Sequence, residues 1–118
     1  MLVRVLITSS SKFFREALKF ILHNRAEEVD TALDIGEFKK LTSVNRYDLI
    51  LCDLDCVFDH IDEFRRWVEN NLKDTRVVFF SFDPPEIVRE RLGDGNATNY
   101  INRPLDPEQV IEFVKRIN

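Results

Sequence analysis

The residues best placed to do chemistry are Asp53 and Asp55, which stop the apolar run Leu49–Cys52. Two further groups, Ser81 and Arg103, close later apolar runs in the same way. An aspartate can attack phosphorus and become an acyl phosphate. A hydroxyl and a cation beside it can then bind the transferred phosphoryl oxygens. What this set lacks is a cage for magnesium, which is usually held by one or two carboxylates plus waters and phosphate. A lone carboxylate at the end of an apolar run also reads as a turn acid or helix cap. The elements around it must decide.

Those elements alternate. Residues 2–8 are β-branched and apolar and end at Ser9-Ser10-Ser11, any of which can cap a helix beginning there. Phe14, Ala17, Leu18, Ile21 and Leu22 then recur at helical spacing. Val29 to Ala32 reads as a short strand. Asp34 with Glu37 forms a capping box, and Leu33 with Phe38 fits the hydrophobic staple of a helix running to about Thr42. After the 49–52 strand, Ile61, Phe64, Val68 and Leu72 mark a third helix with Trp67 on its flank. Val77–Phe80 is another buried strand, and Asp83-Pro84-Pro85-Glu86 predicts an N-cap, a first-position proline and a third-position glutamate. Ile87, Val88, Arg91 and Leu92 continue that helix until Gly93, Gly95 and Asn96 break it. Thr98 to Ile101 is a fifth strand, and Asp106 opens a last helix with Val110, Phe113, Val114 and Ile117 facing inward.

Five strands alternating with five helices, joined by long crossovers, imply an α/β fold with a parallel sheet and right-handed connections. The expected architecture is a flavodoxin-like, doubly wound five-stranded sheet of order 2-1-3-4-5. Strands 1 and 3 then flank its switch point, where ligands collect at the carboxyl ends. Ser9, Ser10 and Asp53 would meet there, with Ser81 and Arg103 at neighbouring strand ends.

Bulk properties fit one domain over residues 1–118. A chain of 118 residues can bury a core without staples, and 44% apolar with 32% charged residues is ordinary for a globular protein. Most of the ten phenylalanines should be core. The net charge of −4 argues against a nucleic-acid or anionic-membrane surface, and no stretch is long enough for a membrane span. Neither a signal-peptide pattern nor a disulfide framework is present. Cys52 and Cys56 read as structural thiols in a reducing cytoplasm, because C-x-x-x-C without a histidine at ligand spacing is a weak zinc signal. His23 and His60 have no partner at catalytic or metal spacing and are expected to face solvent.

Over essentially its whole length the sequence resembles the receiver domains of two-component response regulators. Ile7 through Arg15 looks like the family's first strand, acidic pair and helix start. Asp53-Leu54 looks like the phosphoacceptor and its neighbour, Ser81 the hydroxyl switch position, and Tyr100 the switching aromatic. Arg103-Pro104 falls where the family has lysine followed by a cis-bonded proline, and Asn96-Ala97 resembles its Gly-Ala turn. Three departures stand out. The acidic pair has become Ser9-Ser10, and a hydroxyl is a poor replacement for a carboxylate toward a hard dication. The lysine has become Arg103, a planar fork instead of a compact ammonium, and Val57 replaces the usual loop proline.

The resemblance therefore implies a non-enzymatic cytoplasmic signalling domain with impaired magnesium-dependent phosphorylation, working through a protein partner such as a histidine kinase or an output protein. It implies no resident cofactor and no metal ligands, unless Asp53 and Asp55 together hold magnesium. In receivers the face of helix four, strand five and helix five often carries the partner, which makes Ile87, Arg91, Tyr100 and Lys115 interaction candidates. One alternative is a working receiver that accepts phosphate on Asp53 from a histidine kinase, with Asp55 helping to hold magnesium. A remote alternative is a haloacid-dehalogenase-like phosphatase, whose nucleophile motif residues 49–58 also resemble, with Cys56 where glycine is usual. That motif normally opens its chain, and only fifteen residues follow Arg103 here.

Overall fold

The computed structural model describes residues 3–81, 83–92, 100–101 and 106–117. The side chains of residues 85, 91, 92, 100, 101 and 117 are outside that description. The strands are β1 (Arg4–Thr8), β2 (Glu28–Ala32), β3 (Leu49–Asp53), β4 (Arg76–Phe80) and β5 (Tyr100–Ile101). Between and after them lie α1 (Lys12–Leu22), α2 (Ile35–Val44), a single turn α3 (Leu54–Val57), a 3₁₀ turn (Phe58–His60), α4 (Ile61–Asn71), α5 (Pro85–Leu92) and α6 (Pro107–Ile117). All strand pairs are parallel, and the order is β2-β1-β3-β4-β5, as the alternation predicted.

The order follows from strand alternation. Val5 and Ile7, Leu49 and Leu51, Val78 and Phe80 point to one face, where they meet Leu18 and Leu22 of α1 and Val110, Phe113 and Val114 of α6. Leu6, Ile50, Cys52 and Phe79 point to the other, where they meet Phe38 of α2, Phe64 of α4 and Val88 of α5. Successive side chains of a strand alternate sides, so a strand covered by helices on both faces must be apolar at every position. β3 is buried at all five residues. It is the central strand because Leu49–Cys52 offers no polar side chain to either face.

Three local features differ from the reading of the sequence. The chain does not loop freely after β3 but turns at once into α3, with Asp53 as its cap and Leu54 and Val57 buried beneath it. At α5 the helix starts at Pro85, so Pro84 is not its first residue. The Pro84 carbonyl instead accepts from the amides of Ile87 and Val88, while the amide of Asp83 donates to Ser81 Oγ at 3.0 Å. Leu33, expected to pack as a staple, is 45% exposed, although Asp34 does cap α2 by accepting from the Glu37 amide. Among the phenylalanines, Phe38, Phe64, Phe79, Phe80 and Phe113 are core and Phe14 packs against it. Phe13 and Phe20 are not. Among the described residues, no helix is long and apolar enough to cross a membrane.

Candidate functional site

The register sets the site. Thr8 pairs with Cys52 and Phe80 pairs with Asp53, so Ser9 follows β1 at the level of Asp53, and Ser81 lies one step beyond. All three are buried, and Asp53 is only 6% exposed. The segments around residues 9, 53 and 81 therefore converge on one rim, as the strand order requires. Ser10 is exposed and does not join them. Ser11, the third serine, is the cap of α1 and accepts from the Phe14 amide.

Both oxygens of Asp53 are engaged. Oδ2 accepts the Ser9 hydroxyl at 2.8 Å, and Oδ1 accepts the Asp55 amide at 3.0 Å. The backbone amide of Cys56 adds a further bond to the carboxylate. The acid is thus both the terminus of β3 and the N-cap of α3, which is why the chain can reverse direction there without orphaned amides. Burial pushes the Asp53 carboxyl above its ordinary value. The Ser9 hydroxyl and the two amides pull it back, and the charge of Asp55 adds to the rise.

Ser9 is held from several sides. Its hydroxyl accepts from the Ser11 amide at 3.1 Å, its amide donates to the Ala32 carbonyl at 3.0 Å, and its carbonyl accepts from the Arg15 guanidinium at 2.8 Å. Arg15 was legible only as part of a motif. Its role depends on the first turn of α1 folding back over the end of β1, and no spacing rule announces that. Cys56 sits in α3, where its thiol accepts from the Ser10 amide and donates to the Leu33 carbonyl. Burial raises the thiol, and the neighbouring Asp53 charge raises it further. Cys52 is fully buried and its thiol is pushed up strongly for the same leading reason. Both are free thiols of unreactive character.

The remaining predicted positions divide. Asp55 lies exposed in the first turn of α3. The Ser81 hydroxyl accepts from the Asp83 amide. His23 and His60 are exposed, as expected, and His60 lies 3.7 Å from Glu63. Arg103, Pro104 and Asn96-Ala97 lie outside the described residues, as do the side chains of Tyr100 and Arg91. Toward a divalent ion the described rim thus offers one buried carboxylate, one exposed one and a hydroxyl already bonded to the first. Among the described residues no three Asp, Glu, His or Cys side chains group as a metal site.

No family model matches the chain, and no curated protein matches it. Solved structures do. A response regulator from Thermotoga maritima superposes with a TM-score of 0.82 at 22% identity, over 99% of this chain and 98% of that one. The chemotaxis response regulator CheY4 of Vibrio cholerae gives 0.78 at 20% identity over 100% of both chains. The N-terminal signal receiver domain of a two-component response regulator from Bacteroides fragilis gives 0.81 at 16% identity, covering 99% of this chain and 97% of its own. In its described residues the chain has the flavodoxin-like fold that these response-regulator receiver domains share.

Proposed function

We propose that this protein is a receiver domain of two-component signalling that acts by binding a protein partner, with magnesium-dependent phosphorylation of Asp53 impaired. The observation that carries the reading is the Ser9 hydroxyl bonded to Asp53 Oδ2 at 2.8 Å. It stands where the resemblance puts a metal-binding carboxylate. A hydroxyl brings no negative charge to offset a dication, and magnesium is usually held by one or two carboxylates together with its waters. The donor set does not fit that ion, so the function is derived from the chain's own residues. Those residues hold Asp53 rigid and capped, which suits a surface presented in one state.

A second reading, phosphate transfer to Asp53 from a histidine kinase, draws support from the buried Ser81 one register step beyond the carboxylate. Incubation with acetyl phosphate and magnesium, followed by intact mass, separates the two. The first reading expects no phosphoryl adduct on the wild type, and an adduct on the Ser9→Asp/Ser10→Asp double variant that disappears when Asp53→Asn is added. An adduct on the wild type, lost on Asp53→Asn, overturns it in favour of the second.

A further inference from the structure

Helix α3 is a single turn, Leu54–Val57, and so short a turn does not persist by itself, because closing it fixes several residues for few hydrogen bonds. Two things hold it. Leu54 and Val57 lie three residues apart, on one side of the turn, and are fully buried in the layer that contains Phe38 and Phe64. The second support is the Asp53 carboxylate, which accepts from the amides of Asp55 and Cys56 and from the Ser9 hydroxyl. A carboxylate offers about four lone pairs, so these donors occupy most of them. The Cys56 thiol then reaches both ways from the turn. It accepts from the amide of Ser10, in the loop after β1, and donates to the carbonyl of Leu33, in the loop after β2, at 3.5 Å. Capped, α3 ties three strand ends together at the rim.

We infer that Asp53 and α3 form a latch: the unmodified carboxylate caps α3 and so clamps Cys56 onto the loops after β1 and β2, and loss of the cap opens that clamp. The cap and any chemistry at Asp53 compete for the same oxygens. A phosphoryl group or a cation that takes one of them must displace the Ser9 hydroxyl or the α3 amides. The latch is therefore an autoinhibitory contact over the carboxylate. It is also a joint through which occupancy of Asp53 reaches the exposed Leu33 and Asp34 at the start of α2. The part that yields is α3. β3 beneath it is buried at all five residues and paired on both sides, whereas Asp55 is exposed and its charge opposes that of Asp53. The latch concerns the unmodified carboxylate alone, so it holds whichever way phosphorylation of Asp53 is decided.

Asp53→Ala and Asp53→Asn separate the cap from the charge. Both remove the charge, but asparagine caps a helix about as well as aspartate and alanine does not. The native proteins are alkylated with iodoacetamide at one pH, and each cysteine is followed by peptide mass. Cys52 is fully buried, so its alkylation reports unfolding of the whole chain, while Cys56 reports opening of α3. The Asp53 charge itself raises the Cys56 thiol, so the comparison is between the two variants. Cys56 should react about 5- to 30-fold faster in Asp53→Ala than in Asp53→Asn, the usual worth of an N-cap, with Cys52 equally slow in both. Equal Cys56 rates in the two variants overturn the latch. So does a Cys52 rate that rises in step with Cys56, which would make α3 part of global unfolding. Cys56→Ala tests the clamp. The Ser10 amide loses its acceptor and should exchange with deuterium about fivefold faster, measured against the Leu51 amide of β3. Ser10 exchange that does not accelerate relative to Leu51 overturns the clamp.

Discussion

Removing one hydroxyl, by Ser9→Ala, should damage this protein more at neutral pH than at acid pH. The Ser9 hydroxyl is buried and donates at 2.8 Å to an aspartate that is itself 6% exposed. A hydrogen bond to a charged group contributes about 1.5–3 kcal/mol net, and a buried oxygen left unsatisfied costs in the same range. The Ser11 amide also loses its acceptor, but it is part-buried and water can replace Ser9 there. The expected loss at pH 7 is about 2–3 kcal/mol, which for a domain of this size lowers Tm by about 8–12 °C. Because burial raises the Asp53 carboxyl, the folded chain keeps a proton over a window in which the unfolded chain has released it. Stability from this group is therefore full below the unfolded value of about 3.9 and falls as pH rises through the folded value. Ser9→Ala removes one influence that lowers the carboxyl, widening that window. Near pH 3, where folded Asp53 is largely protonated, the penalty should shrink to about 1 kcal/mol, the worth of a neutral hydrogen bond. Urea unfolding at both pH values, in a cycle with Asp53→Asn, reads the effect, and the coupling between the two sites at pH 7 should exceed about 1 kcal/mol. A penalty below about 0.5 kcal/mol, or one equal at both pH values, would refute the reasoning.

Two further outcomes are expected at buried polar groups. Thr8 Oγ1 is fully buried with no hydrogen-bond partner among the described residues, so Thr8→Val, which keeps the shape, should leave stability unchanged or raise it by up to about 1 kcal/mol in thermal unfolding; a loss above that size would mean the hydroxyl has a partner. Tyr47 donates to Asp30 at 2.6 Å, and burial followed by that bond holds its phenol well above the ordinary value, so Tyr47→Phe should cost about 1.5–2 kcal/mol at pH 7. The wild type should lose stability as pH rises above about 10, where the unfolded tyrosine ionises, and Tyr47→Phe should lose less over that range in denaturation measured against pH.

The sequence carried the fold because burial on both faces leaves an unmistakable record. Leu49–Cys52 is apolar at every position since helices cover both sides of β3, and the caps Asp34 and Asp106 announce where helices begin. The alternation of such strands with amphipathic helices admits few topologies, and order 2-1-3-4-5 is one of them. It also placed Asp53, Ser9 and Ser81 together, because parallel strands bring their carboxyl ends to one edge whatever lies between. Contacts that depend on how a turn closes were not legible. That Ser9 rather than Ser10 reaches Asp53 is set by the register of β1 against β3, and three serines in a row give no hint of it. Likewise Arg15 bonds the Ser9 carbonyl only because α1 folds back over its strand. Phe13 and Phe20 belong to the same class, since helical spacing marks the apolar face that meets the sheet but not an aromatic left outside it. Short-range pattern records what burial demands of each residue; which side chains then touch is decided by strand register and helix placement, and those are properties of the assembled chain.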